Sequence, residues 1–125
     1  MSDFAAARQK MVDGQVRPSD VTDARILDAM LMVPREAFVP ESRRGLAYLD
    51  LDLDVSEGGT AKQHLIKPAV LAKMLQAAEI KKTDRVLVVG CATGYAAAVV
   101  AARLSDQVVA TESDPVIGEK TASAL

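Results

Sequence analysis

The sequence predicts an α/β fold built on parallel strands, and three observations carry that reading. Residues 67–125 alternate between helix-type and strand-type patterns in the order helix–strand–helix–strand–helix, which is the order a parallel sheet requires. "RVLVV" (85–89) is apolar at odd and even positions alike, as expected of a strand covered by helices on both faces. The turn that follows it, "GCATG" (90–94), is bounded by two glycines and leads into an alanine-rich helix.

The elements follow in order. "DFAAARQKMVD" (3–13) has apolar residues at helical spacing and predicts a helix. "GQVRPSDVTD" interrupts it. Thr22 can cap a second helix, whose apolar stripe is Ile26, Leu27, Met30 and Leu31, and Pro34 stops it. "PREAFVPESRRGLAY" reads as short helical pieces punctuated by proline. "LDLDLDV" (49–55) alternates apolar and acidic residues, the pattern of a half-buried strand. A polar, glycine-rich loop, "SEGGTAKQH", comes next. Pro68 then opens a helix with Val70, Leu71, Met74, Leu75 and Ala78 on one face. After "KKTD" come "RVLVV", the glycine turn, the helix "YAAAVVAARLS" and a second buried strand, "QVVATE". "SDPVIGEKTASAL" begins a last helix, with Asp114 as cap and Pro115 in first position.

Bulk properties narrow the function. At 125 residues the chain suits one domain, half its residues are apolar and its net charge is −2. Scattered basic residues give no footprint for nucleic acid. No apolar run approaches a membrane span, and "MSDFAAARQK" lacks the apolar core of a secretory signal. A single cysteine, Cys91, cannot pair within the chain, which fits a reducing cytoplasm. The same scarcity of Cys and His argues against a structural metal site.

The glycine turn is the candidate binding site. A strand–turn–helix leaves backbone N–H groups unpaired at the helix start, where the helix carries partial positive charge. Gly90 and Gly94 bracket the small residues Cys91, Ala92 and Thr93, so a ligand can approach the main chain. Glu112, at the end of the next strand, stands where a carboxylate accepts ribose hydroxyls in such units. The plainer alternative is a turn glycine and a capping or solvated acid. Cys91 likewise has two readings, a thiolate favoured by the helix start or simply a small loop residue.

The order "MVDGQVRPSDVTDARILDAMLMVPREAFVP", "AYLDLDLDV", a glycine-rich loop, "KPAVLAKML" and "DRVLVVGCATGYAAAVVA" resembles the N-terminal part of the protein-L-isoaspartate O-methyltransferase family, from about Met11 to Glu112. The resemblance implies a Rossmann-like, S-adenosylmethionine-dependent methyltransferase fold preceded by a helical segment. It implies a protein or peptide substrate whose isoaspartyl carboxylate is esterified as a step in repair. It sets Gly90, Cys91, Ala92, Thr93 and Gly94 against the methionine part of the cofactor and gives Glu112 the ribose hydroxyls. The chain departs from the family at Val88, where an acid is usual, and at Ala92, where a glycine is. The family also has a serine important for catalysis, in a stretch like Gly-x-Gly-Gln-Thr-Ile-Ser-Gln-Pro. Anchored on Pro68, Ile66 takes its place; matched on "GGT", Lys62 does; Thr60 is the nearest hydroxyl. The catalytic residue is therefore left unassigned.

The family continues with further strands beyond the point that corresponds to Leu125. The chain thus reads as one incomplete domain, residues 1–66 forming helices, short strand and loop, and 67–125 the cofactor-binding core. Its open strand edge predicts self-association, and truncation, a sheet-completing dimer and a separate second chain are the competing explanations. Beside the enzyme stands a second function, a cofactor-binding or partner-binding remnant without catalysis. A dinucleotide oxidoreductase is disfavoured because the turn lacks the full Gly-x-Gly-x-x-Gly order.

Overall fold

The computed structural model describes residues 3–56 and 62–113. Helix α1 (Phe4–Met11) starts at Asp3, whose carboxylate accepts the Ala6 N–H. The chain then widens into a π-type turn, Val12–Val16, and tightens into a 3₁₀ turn, Arg17–Ser19, which includes Pro18. Helix α2 (Ala24–Met32) is capped by Asp23 rather than by Thr22. The Asp23 carboxylate accepts the Arg25 N–H at 2.9 Å and also pairs with the Arg25 guanidinium, whereas the Thr22 N–H bonds to the Gln76 side chain. The expected stripe holds: Ile26, Leu27 and Met30 are buried, and Leu31 packs half-buried against them. Pro34 ends the helix, and two 3₁₀ turns follow at Arg35–Phe38 and Glu41–Leu46.

The expected strand over 49–55 is much shorter. Only Leu53–Asp54 (β1) forms one, pairing antiparallel with His64–Leu65 (β2), a strand the sequence did not announce. Acidic side chains draw the backbone away from a ladder: Asp52 accepts the Lys67 N–H and Asp54 the Ser56 N–H. The period-two burial survives, since Leu53 and Val55 are buried while Asp50 and Asp52 are exposed.

Helix α3 (Pro68–Ala78) has proline in first position as expected and closes at Glu79 in left-handed geometry. Its expected face is corrected. Pro68, Leu71 and Ala72 are buried, but Val70, Met74 and Ala78 are exposed, because among the described residues the helix rests mainly on the Val12–Val16 turn and α2. Strand β3 (Arg85–Val89) pairs in parallel with β4 (Gln107–Thr111) through the connecting helix α4 (Tyr95–Arg103). Neither strand is buried on both faces. Val86 and Val108 pack on the core, whereas Leu87, Val89 and Val109 are 60%, 75% and 61% exposed. The described helices cover one side of the pair and leave the other bare. One hydrophobic cluster, running from Met11 to Leu104, joins the N-terminal helices to α4. The helix expected after Glu112, with Asp114 and Pro115, lies outside the described residues, as does Thr60 with the centre of the glycine-rich loop.

Candidate functional site

The glycine turn is fastened at both ends. The Cys91 N–H donates to Thr111 O at 2.8 Å, carrying the parallel pairing one step past the strands, and the Gly94 N–H donates back to Cys91 O. Three residues of the turn have positive φ: Gly90 at 62°, Ala92 at 51° and Gly94 at 96°. Glycine adopts this region freely, and alanine does so only against steric strain. A side chain at Gly90 would meet no heavy atom within 4 Å, so the turn is open on that side.

Glu112 supports the strained residue. Its Oε1 accepts the Ala92 N–H at 2.8 Å, and its Oε2 accepts from Gln63 Nε2 at 3.3 Å. The turn and the acid at the end of the next strand therefore share one place. Cys91 is buried, and its thiol is pushed up by burial and by the Glu112 charge. Both effects disfavour the thiolate and favour the reading of Cys91 as a small turn residue. Thr93 is buried, with no hydrogen-bond partner for its hydroxyl among the described residues.

A cavity of about 170 Å³ opens beside the turn, lined by Gly90, Cys91 and Ala92 from below and by Arg35, Ile66 and Tyr95 around it. Ile66 lines the cavity, whereas Lys62 is exposed and does not. The volume falls short of the roughly 300–1,000 Å³ of sites that enclose a drug-sized ligand, so it suits one end of a larger molecule. The site's features fit an adenosyl donor: an open glycine turn, a carboxylate at the end of the next strand beside it, and a buried guanidinium nitrogen at the cavity with no hydrogen-bond partner among the described residues.

Arg35 and Tyr95 are the residues that sequence reasoning passed over. Arg35 is 1% exposed, with its guanidinium carbon 4.7 Å from the Tyr95 ring centroid. Its Nε donates to Ala47 O at 2.7 Å and its Nη2 to Ile66 O at 3.1 Å. Tyr48 holds its backbone, accepting the Arg35 N–H at 3.0 Å while donating to Glu36. Burial pulls the guanidinium down from its ordinary range, and the nearby Tyr95 opposes this. The available signal was "VPREAFVP" itself, an arginine set among apolar residues and prolines.

Comparison with known proteins agrees with this architecture. A model of the protein-L-isoaspartate(D-aspartate) O-methyltransferase family matches residues 6–125. A relative from Methylorubrum extorquens (strain PA1), named protein-L-isoaspartate O-methyltransferase, is 44% identical over 123 residues, which is 98% of this chain and 52% of that protein. One of the same name from Roseiflexus sp. (strain RS-1) is 42% identical over 123 residues, covering 98% and 54%. A solved protein-L-isoaspartate O-methyltransferase superposes with a TM-score of 0.82 at 28% identity, over 94% of this chain and 37% of that one. A Plasmodium falciparum structure, solved in complex with S-adenosyl-L-homocysteine, shares the fold at a TM-score of 0.71 and 17% identity, over 99% of this chain and 55% of that one. The chain spans about half the length of the curated relatives it matches. By its matched residues and its fold, the chain belongs to the protein-L-isoaspartate(D-aspartate) O-methyltransferase family.

Proposed function

We propose that the chain carries the donor-binding part of an S-adenosylmethionine-dependent methyltransferase acting on the isoaspartyl carboxylate of damaged proteins. The observation that carries the reading is the 2.8 Å bond from Ala92 N–H to Glu112, which brings glycine turn and acid to one place. Residues 67–125 supply the donor site, and residues 1–66 supply the wall that holds Arg35 over Tyr95. When bound, the donor supplies a methyl group activated on a sulfonium sulfur. The rest is alignment: Gly90, Cys91, Ala92, Thr93 and Gly94 form the floor, Glu112 receives the ribose hydroxyls, and Tyr95 and Ile66 keep water from the reacting end. The lone buried Cys91 fits a reducing cytoplasm, and the bare Leu87, Val89 and Val109 favour self-association.

Ile66 at the cavity favours a second reading, a site that binds the donor without transferring its methyl group. Calorimetric titration with S-adenosylhomocysteine, followed by an ester assay on an isoaspartyl peptide, separates the two. Binding with ester formation supports the enzyme, binding without ester supports the remnant, and no heat at high ligand concentration removes both.

A further inference from the structure

We propose that Arg35 anchors a carboxylate in the cavity beside the glycine turn. This deepens the methyltransferase reading and rests on it. Arg35 is 1% exposed, yet the two hydrogen bonds its side chain makes are to neutral carbonyls, Ala47 O and Ile66 O. Its Nη1 is buried and has no hydrogen-bond partner among the described residues. None of the ion pairs among the described residues includes Arg35. A buried cation that lacks a counterion is costly, and the ring of Tyr95 offsets that only in part. The side chain faces a cavity large enough for a carboxylate, and a guanidinium fork matches a carboxylate better than any other anion but phosphate. The carbonyls of Ala47 and Ile66 fix the plane of the fork, so Arg35 is oriented before the anion arrives. The carboxylate has two sources in this reaction class, the amino-acid end of the donor and the acceptor itself.

Calorimetry on the unaltered chain tests this with two ligand pairs. The first is S-adenosylhomocysteine against its decarboxylated analogue, 5′-(3-aminopropylthio)-5′-deoxyadenosine, which keeps the adenosyl group and the amine and lacks the carboxylate. The second is an isoaspartyl peptide against the same peptide with that carboxylate as its primary amide. The expected result is a preference of about tenfold or more for the carboxylate in one pair. The first pair discriminating identifies the donor as the source, and the second identifies the acceptor. In Arg35→Lys the preference should fall, and in Arg35→Met it should nearly vanish. Equal binding within both pairs, or a preference that survives Arg35→Met, overturns the proposal. Because Arg35→Met also breaks two hydrogen bonds and can unfold the chain, the ligand pairs on the unaltered chain decide first. Binding of both adenosyl ligands without carboxylate preference in either pair removes Arg35's role and leaves the methyltransferase reading intact. Failure of both adenosyl ligands removes that reading, while the peptide pair still tests the arginine.

Discussion

The Arg35 guanidinium lies over the face of Tyr95, 4.7 Å from the ring centroid, while the buried Tyr95 hydroxyl meets no geometric hydrogen-bond partner among the described residues. The stacked ring carries the contact with the guanidinium. Tyr95→Phe keeps the stacking and removes a buried orphan, so stability should be unchanged or up to about 1 kcal/mol higher. Tyr95→Leu loses the cation–π contact and the edge-on packing of Phe38, and should cost about 2–4 kcal/mol. Urea unfolding of the two variants measures the difference.

Ala92 stands in left-handed geometry with φ of 51°. Ala92→Gly relieves steric strain of roughly 1–2 kcal/mol, against an entropic loss of about 0.5–1 kcal/mol. A net change between zero and a gain of about 1.5 kcal/mol is expected, read as a rise in the urea midpoint. Gly90→Ala, at φ of 62°, should move the midpoint the other way.

Gln76 ties α3 to the start of α2. Its Oε1 accepts the N–H groups of Thr22 and Asp23 at 2.8 and 3.0 Å, and its Nε2 donates to Asp20 O. The site is exposed, so water replaces much of what is lost. Gln76→Ala should cost about 1–2 kcal/mol in equilibrium unfolding.

Alkali should unfold the chain through its tyrosines. Burial and the hydrogen bond to Glu36 push Tyr48 up to about 12, and burial also raises Tyr95. A raised folded value means that Tyr48's contribution is complete below about pH 10, the unfolded value, and is lost as pH climbs towards 12. Phenolate absorbance should stay low past pH 10 and then rise together with loss of helical circular dichroism. Tyr48→Phe should remove the Tyr48 part of this dependence.

Most of the element order was legible because helical stripes and β-type runs are local patterns, and α2, α4 and the β3–β4 pair sit where those patterns put them. What failed depended on competition or on cover. Residues 49–52 alternate like a strand, yet Asp52 and Asp54 spend their carboxylates on backbone N–H groups nearby. Val70 and Met74 belong to an apolar stripe, but the described residues cover them only in part, and the same holds for Leu87 and Val89. At the site, the spacing of Gly90, Gly94 and Glu112 was readable because a turn and the next strand end are fixed by a parallel pair. Arg35 was not, since its burial depends on a tyrosine sixty residues away.

On the donor-binding reading proposed above, the bond between Ala92 and Glu112 has an effect on recognition. The amide is already satisfied, so a diol arriving at this carboxylate adds to or swaps with an existing contact instead of rescuing a frustrated one. The turn keeps its shape while it waits, and little ordering cost remains to be met on arrival. Selectivity for the hydroxyl pair, more than tightness of grip, is what such an arrangement yields.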